Sequence, residues 1–352
     1  MLTCMSRVSP TAEGFRAAFR RPLFAFGEIT WRWAVGATAT VLFFFGLLEF
    51  LNTLPVTNGE ILFLRTRQPF LVSQAIAHIL RGTLNRGVMS LMLAAILMAV
   101  VWIIAASLGR IATVGAIVDY VRGQITGKAA AFGIDRIEEQ PVPEANQFHA
   151  LIRLNFLRVA LVLASLCAFW GASILASFVS SAANPRPGLA FLIFLPVAVL
   201  VGLAWFALNW LLSLASVFAV REGADAAAAI ASAVGLCRER TGAVFAVSTW
   251  TGLAHLVAFV AATTAVSMPL GLAGLLPWRL VVLVVIVLTL AYFAVADWIY
   301  TARVAGYVAI LEIPEAWWAP PLPPPPPPPV PAVGTSIDKD ELILSDVPQP
   351  AL

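Results

Sequence analysis

The residues best suited to chemistry are ionisable groups that interrupt long apolar stretches: Glu49, His255 and Asp297. A charged group is costly in hydrocarbon, so each residue is a candidate for a proton relay or a ligand pathway. Each also has a structural interpretation. Glu49 is then an interfacial carboxylate that reaches water, His255 a neutral histidine bonded to a neighbouring helix, and Asp297 a carboxylate paired with a cation.

Two further polar residues accompany these candidates. Asp297 and Arg303 lie about 9 Å apart along a helix, at about 1.5 Å per residue, near the predicted inner membrane face. Pairing of Asp297 with Arg303, or with the basic end of the segment 224–240, is therefore predicted. Asn209, inside another apolar stretch, predicts a hydrogen bond between helices. His255 is predicted at a different depth from Asp297, which argues against a single site.

The sequence lacks the patterns typical of catalytic and metal sites. No histidine has a second metal ligand at helical spacing, and the cysteines are too scattered for a disulfide framework. These residues are His78, His149, His255, Cys4, Cys167 and Cys237. A Walker-type glycine loop and a nucleophile elbow are also missing. We therefore expect no enzymatic activity and no cofactor, and a membrane enzyme is the least favoured of three functional hypotheses.

Composition places the chain in a membrane. Hydrophobic residues make up 60% and charged residues 12% of the 352 residues, whereas soluble domains carry about 25% charged residues. The mean hydropathy is +0.89. The apolar residues fall in separate runs long enough to cross about 30 Å of hydrocarbon. The predicted fold is all-α: a polytopic transmembrane helical bundle of about six spans, with amphipathic helices at the interface and the lipid bilayer as its partner.

The apolar runs divide the chain into three regions. A basic amphipathic segment (1–32) precedes the membrane domain (33–310), and a Pro-rich disordered tail (311–352) follows. The six predicted spans are 33–51, 88–108, 156–179, 189–220, 244–268 and 280–303. Residues 55–87 are left open as outside, interfacial or re-entrant. The proline tract predicts polyproline II, serving as a flexible spacer or as a docking segment for a membrane or cytoplasmic protein.

Lysine and arginine are distributed unevenly between the two sides of the predicted spans. Sixteen of the 22 Lys and Arg residues fall on the side that holds both termini. Because cytoplasmic loops are enriched in these residues, both termini are predicted to be cytoplasmic, in the plasma (inner) membrane of a bacterium. The net charge of +3 has the same explanation, so nucleic-acid binding is not expected.

The third predicted span carries a stripe of small residues, each four positions after the last. The stripe consists of Ala164, Ala168, Ala172, Ala176 and Ser180. Residues four apart lie on one face of a helix, and small side chains there let a second helix approach closely. The stripe therefore predicts a helix–helix contact within the membrane.

A helix-forming segment, 224–240, joins the fourth and fifth spans and is predicted to lie at the membrane interface. Its predicted apolar face consists of Ala226, Ala227, Ile230, Val234 and Cys237, opposite Asp225, Ser232 and Glu239. Arg221-Glu222-Gly223 stands before this segment and Leu236-Cys237-Arg238 near its end, with Ala229-Ile230 between them.

This pattern resembles the multi-helix family named after the membrane domain of glycerophosphoryl diester phosphodiesterases, and the likeness covers roughly residues 15–310. Ser232-Ala233-Val234 departs from the Arg-Ser-aromatic core of that family. The resemblance implies a six-span fold in a membrane and no reaction, because the phosphodiesterase chemistry belongs to a separate soluble domain. The interfacial-helix motif that it implies consists of Glu222, Gly223, Leu236 and Arg238.

Two principal functional hypotheses follow. The first is a non-enzymatic accessory or scaffold component that works through helix packing, as favoured by the alanine stripe, the interfacial helices and the proline tail. The alternative is a transporter or lipid-handling membrane protein that uses Glu49, His255 and Asp297 along a pathway.

Overall fold

The computed structural model describes residues 9–66, 68–81, 83–131, 144–180, 185–272 and 274–313. Every regular element within these ranges is an α-helix. In chain order they are α1 (Pro10–Arg20), α2 (Leu23–Asn52), α3 (Asn58–Arg65), α4 (Pro69–Arg81), α5 (Leu84–Ala131), α6 (Glu144–Ser177), α7 (Pro187–Glu222), α8 (Ala226–Glu239), α9 (Thr241–Gly271) and α10 (Trp278–Glu312). The predicted Pro-rich tail lies outside the described residues.

Six of these helices are long and apolar enough to cross a membrane: α2, α5, α6, α7, α9 and α10. They match the six predicted spans in order and confirm the all-α, polytopic fold, so the chain is a multi-pass membrane protein. The helices extend beyond the predicted spans because the polar sequence that flanks the apolar runs is also helical. α5 has 48 residues and α7 has 36, whereas a bilayer needs about 20.

The bundle is closely packed at one end only. Residues 212–220 of α7 are all buried, as are most residues of α10 between 297 and 310. This end, where α7 and α10 terminate, is the packed end. Toward the opposite, open end the same two helices expose large apolar side chains such as Phe191, Leu200 and Phe293. Helices with exposed apolar surface suit contact with lipid, so the open half lies in hydrocarbon.

The long helices pack as three antiparallel pairs: α2 with α5, α6 with α7, and α9 with α10. α10 also contacts α2, α5 and α7, so it joins the pairs at the packed end. Two grooves open between neighbouring pairs, one beside α5 and α6 and the other beside α7 and α9. Their volumes are about 750 Å³ and about 580 Å³.

α1 packs its smallest side chains against α10. Gly14, Ala17 and Ala18 are buried, and a Cβ atom at Gly14 would stand 2.5 Å from the Ala302 carbonyl oxygen and 2.7 Å from the Gly306 nitrogen. Two backbones can approach this closely only where no side chain intervenes. The predicted amphipathic segment therefore uses a glycine-alanine face for protein contact, whereas Phe19 and Phe26 on the adjoining surface are exposed.

α8 is held at the packed end by alanine side chains. Its buried residues are Ala226, Ala229, Ala233 and Leu236. Of the predicted apolar face only Ala226 is buried, whereas Ile230, Val234 and Cys237 are half-buried and Ala227 is exposed. Small side chains let α8 approach α7 and α9 closely, and in a membrane the larger apolar side chains need no protein cover. The thiol of Cys237 is nevertheless covered enough that burial raises its pKa.

The alanine stripe of the third span lies on α6, which packs along α7. Ala172 and Ala176 are buried, Ala168 is half-buried and Ala164 is exposed. The predicted close contact is therefore present over the half of the stripe nearer the open end.

Two short helices, α3 and α4, occupy most of the segment 55–87 and pack against each other at the open end. Thr57 begins α3 with a capping box: its side chain accepts from the Glu60 N–H, and its own N–H donates to Glu60 Oε2 at 2.6 Å. His78 of α4 contacts the same carboxylate through Nδ1, at 2.5 Å.

Candidate functional site

Charged and polar side chains from neighbouring spans lie within about two helical turns of one another along the bundle axis, near the junction of the packed and open halves. This polar layer consists of Glu28, Arg32, Arg110, Asn155, Arg158, Asp297, Tyr300 and Arg303. Buried ionic groups in a membrane protein are costly unless they are paired or reach water. The partners of each group therefore decide what the layer can do.

The centre of the layer is an ion network around Arg32. Its guanidinium contacts Glu28 Oε1 at 2.6 Å through one terminal nitrogen and Asp297 Oδ1 at 2.6 Å through the other. Trp33 Nε1 donates to the second oxygen of Asp297 at 3.2 Å. The predicted pairing of Asp297 with Arg303 or with the segment 224–240 is wrong, because α2 brings Arg32 closer from 265 positions away.

Glu28 fixes α2 to α5. Its Oε2 accepts from Trp31 Nε1 at 3.0 Å and from Thr113 Oγ1 at 3.0 Å. The Tyr300 ring of α10 lies beside Arg32, whose guanidinium carbon is 4.4 Å from the ring centroid. Cation–π contact of this kind stabilises a cation that has left bulk water. The network therefore joins α2, α5 and α10.

Two further arginines of the layer have neutral partners. Arg110 of α5 donates to Ser216 Oγ at 3.2 Å. Arg158 of α6 donates to Ser213 Oγ at 3.1 Å and to Asn155 Oδ1 at 3.4 Å. No carboxylate of the described residues pairs with either guanidinium. This side of the layer is therefore positively charged.

The distance from the polar layer to the open end matches the thickness of hydrocarbon. About 20 residues separate Trp33 from the end of α2, Arg158 from the end of α6, and Trp298 from the start of α10. At about 1.5 Å per residue this is about 30 Å. Tryptophans at one end of such a length are typical of a membrane interface. We therefore place the polar layer at the lipid headgroup level, with the packed end beyond it.

The groove between α7 and α9 begins at this level and extends toward the open end. Its volume is about 580 Å³. It is lined by Phe206, Ala207, Trp210, Phe245, Ser248, Gly252, His255, Leu256, Phe259 and Arg303. Mostly apolar walls with a few polar groups at one end are typical of a site for an amphiphilic ligand. We call this cavity the α7–α9 groove.

Polar groups at the packed end of the groove hold its walls together. Trp210 Nε1 of α7 donates to Ser248 Oγ of α9 at 3.0 Å and to Tyr307 OH of α10 at 2.8 Å. The two hydroxyl groups are 2.8 Å apart. All three helices take part in this cluster. It therefore fixes the width of the groove at its packed end, which we call the mouth.

Arg303 provides the cation of the groove. Its Nε donates to Thr251 Oγ1 at 3.1 Å. Within the described part of the chain, no carboxylate forms an ion pair with it, since Asp297 is occupied by Arg32. The two terminal nitrogens form the fork that suits carboxylate and phosphate oxygens.

The remaining predicted candidates occupy separate places. His255 also lines the α7–α9 groove, and its Nε2 lies 3.2 Å from Tyr292 OH of α10, as expected for a histidine bonded to a neighbouring helix. Glu49 is exposed near the open end of α2. Glu49, His255 and Asp297 are therefore not brought together into one pathway.

Asn209 does not form the predicted hydrogen bond between helices within the described residues. Its backbone carbonyl accepts from Ser213 Oγ of the same helix, at 3.0 Å. Successive residues point about 100° apart around a helix, and the next residue, Trp210, faces α9 and α10 instead. The polar contact between these helices thus comes from a tryptophan.

The residues of the interfacial-helix motif have structural roles at the packed end. Gly223 ends α7 with φ of 64°, a left-handed conformation that favours glycine. Glu222 pairs with Arg221 at 2.7 Å, Leu236 is buried on α8 and Arg238 is exposed. Asp225, which follows the motif glycine, caps α8 by accepting from the Ala228 N–H at 2.8 Å.

A second groove of about 750 Å³ lies beside α5, α6 and α8. Apolar residues such as Ile104 and Phe156 line it, and Arg153 and Asp225 stand among them. Its position between two helix pairs repeats that of the α7–α9 groove. No cluster of metal-ligating side chains occurs in the part of the chain that the structure describes.

Sequence reasoning missed most of the polar layer. Arg32 and Glu28 stand before the first predicted span, so they were assigned to the basic N-terminal segment. Arg110 follows the second predicted span and Arg158 lies near the start of the third, and both contribute only to the excess of Lys and Arg on one side of the predicted spans. The available signal was their position, because each lies within one or two turns of a long apolar run.

Comparison with known proteins gives no match: neither a family model, nor a curated protein, nor a solved structure is similar to this chain. The resemblance to the glycerophosphoryl diester phosphodiesterase membrane domains therefore stays a prediction from the residues quoted above.

Proposed function

We propose that the protein is a lipid-handling membrane protein without catalytic activity, and that the α7–α9 groove holds one membrane lipid. The observation that carries this proposal is the groove itself: a volume of about 580 Å³ with apolar walls, a fixed mouth and one cation at its polar end. Lipid is the solvent of the open half, so an apolar groove there receives an acyl chain rather than water.

The length of the groove supports this proposal. The α9 residues that line it extend from Phe245 to Phe259, and fourteen residues of helix correspond to about 21 Å. About 16 Å of this length lies between Ser248, in the polar cluster, and Phe259. One leaflet provides about half of the 30 Å hydrocarbon thickness. A lipid with its headgroup at the polar layer therefore extends its acyl chains along the groove to about the middle of the bilayer.

A transport pathway for an ion has less support. The network around Arg32 closes the layer with internal partners, and His255 lies apart from Asp297. The cavity beside Glu28 and Arg110 measures about 10 Å³, which is room for about one water molecule.

An accessory or scaffold role remains the second candidate. One observation favours it: helix contacts at the packed end are made by small residues and internal ion pairs, which suit a fixed shape. The tail, 311–352, is then the docking segment for a membrane or cytoplasmic protein.

For the location we propose the plasma (inner) membrane of a bacterium, with the packed end and both termini on the cytoplasmic side. A fluorescent-protein fusion at the C terminus that fluoresces, with an inactive alkaline phosphatase fusion at the same position, supports this orientation. The opposite pair of results overturns it.

The lipid hypothesis is tested by filling the groove. Gly252 lines the groove, and a Cβ atom added there meets no atom within 4 Å. Gly252→Leu therefore projects into the groove without displacing the backbone. Gly171→Leu, at an exposed position of α6, is the matched control, because its Cβ also meets open space and the change in helix propensity is the same.

Purification in mild detergent followed by native mass spectrometry gives the readout. We expect one lipid bound to the wild type and to Gly171→Leu, and at least a tenfold lower occupancy in Gly252→Leu. Equal occupancy in all three proteins overturns the proposal. A second polypeptide at fixed stoichiometry, with no bound lipid, favours the scaffold role instead.

A further inference from the structure

We propose that the α7–α9 groove selects a lipid with a net negative phosphodiester headgroup, and that Arg303 binds the phosphate. This inference rests on the proposed lipid-handling function and adds the chemical class of the ligand. Its residues are those at the packed end of the groove, where the apolar walls give way to polar groups.

The position of Arg303 matches the depth of a headgroup. Arg303 lies one or two turns beyond Trp298, on the side of the packed end, at the level where the polar layer meets the interface. Lipid phosphates lie at this depth, outside the hydrocarbon. A lipid whose acyl chains occupy the groove toward Phe259 therefore brings its phosphate to the guanidinium.

The hydrogen bonds of Arg303 leave its phosphate-binding fork available. Thr251 Oγ1 accepts from Nε at 3.1 Å and so orients the side chain. Among the described residues no acceptor is bonded to the terminal nitrogens. Paired N–H groups in one plane suit two oxygens of a phosphate, which makes the interaction directional as well as charged.

The charge balance of the layer favours an anion over a zwitterion. Arg32, Arg110, Arg158 and Arg303 face only two carboxylates, Glu28 and Asp297, and both of these are bound to Arg32 or to neutral donors at that site. The groove itself is lined by no carboxylate. The amine of a zwitterionic headgroup therefore finds no carboxylate to pair with there. The phosphate of an anionic lipid, in contrast, can pair with the guanidinium of Arg303.

The test measures lipid binding by purified full-length protein in mixed micelles. The probes are dioleoyl phosphatidylglycerol, which has net charge −1, and dioleoyl phosphatidylcholine, which has the same acyl chains and no net charge. Native mass spectrometry at increasing lipid fraction gives the affinity for each. Inorganic phosphate in excess distinguishes a free anion from a lipid headgroup.

We expect the wild type to bind phosphatidylglycerol about tenfold more tightly than phosphatidylcholine, because the choline cation lies beside uncompensated arginines without a carboxylate to pair with. Arg303→Gln reduces the ratio to about twofold or less and leaves phosphatidylcholine binding in place. Arg303→Lys retains most of the preference because it keeps the charge. Arg279→Gln, at an exposed arginine near the open end, leaves the ratio unchanged.

The outcomes separate the two proposals. Equal binding of both lipids by the wild type, or an undiminished ratio in Arg303→Gln, overturns the headgroup inference and leaves the groove as a lipid site. Binding of neither lipid overturns the proposed function itself. Displacement of lipid by inorganic phosphate overturns the assignment to a lipid. If Arg303→Gln fails to fold, the wild-type ratio in 0.05 and 0.5 M salt decides, because screening must lower a preference due to charge.

Discussion

Removal of the ion pair between Arg32 and Asp297 should weaken the contact between α2 and α10. The pair has a 2.6 Å contact, and the side chains of Arg32 and Asp297 are 22% and 12% exposed. A hydrogen bond to a charged group contributes about 1.5–3 kcal/mol when it is this well covered. Since Arg32 keeps Glu28 as a partner, we expect Asp297→Asn to lower the free energy of unfolding by about 2 kcal/mol.

A double-mutant cycle isolates the contribution of the pair. The four proteins are the wild type, Arg32→Gln, Asp297→Asn and the double variant, each unfolded by denaturant in detergent micelles and followed by circular dichroism. We expect a coupling energy of about 1.5 kcal/mol or more, because neither single change leaves the ion pair intact. The second change therefore costs much less when the first is already present.

The exposed ion pair of α1 is the matched control. Arg16 contacts Glu13 at 2.6 Å, but its side chain is 50% exposed. Solvent screens such a pair, so its coupling energy should stay below about 1 kcal/mol. Additive effects of Arg32→Gln and Asp297→Asn, within about 0.5 kcal/mol, would refute the reasoning that the polar layer joins the helix pairs.

Three further predictions concern local structure. Gly14→Ala should lower the thermal midpoint of unfolding clearly, because its Cβ meets backbone atoms at 2.5 Å, whereas Gly36→Ala, which meets nothing within 4 Å, should not. Gly223→Ala should cost about 1 kcal/mol in denaturant unfolding, because φ is 64°; an unchanged midpoint contradicts this. The N–H of Thr57 lowers the pKa of Glu60 from its ordinary value of 4.5. A lowered pKa stabilises the folded state above pH 4.5 and loses that effect as the pH falls below it. Amide hydrogen exchange in α3 should therefore accelerate in acid, beyond the intrinsic pH dependence, and Glu60→Gln should remove this additional change; an equal change in both proteins refutes the assignment.

The spans were predictable because lipid imposes a local rule on the sequence. Every backbone group must be bonded within the segment, and about 20 apolar residues are needed to cross. The apolar runs therefore identify α2, α5, α6, α7, α9 and α10 in order. The ends of the helices were less predictable. Polar sequence, such as that around Arg122, continues α5 beyond the membrane, and hydropathy does not mark the residue at which this helix stops.

The candidate site was predictable only in part. His255, Asp297 and Arg303 were identified because polar residues stand out against apolar neighbours. Their partners were not, and the predicted pairing of Asp297 with Arg303 failed. A helix allows contact between residues three or four positions apart, and Asp297 has no cation at that spacing. It therefore pairs with Arg32, which lies close enough only because α2 packs against α10.

The residues of α8 that contact protein were also not predictable from the sequence. Hydropathy placed Ile230, Val234 and Cys237 on the apolar face of a helix at the membrane interface, but it did not predict which residues contact protein. In a membrane the larger side chains are already solvated by lipid, and the protein contact falls to the residues that permit close approach. Ala229 and Ala233 are buried for this reason.

The sequence by itself determined that this chain is helical, crosses the membrane six times and concentrates its cations toward one side. These properties depend on local hydropathy and on charge near helix ends. Only the tertiary structure decided which polar groups meet, which arginine keeps its terminal guanidinium nitrogens available for a ligand, and where a lipid-sized groove opens. The physical reason is that such contacts join residues from different helices, and their distances depend on how the helix pairs pack rather than on spacing along the chain.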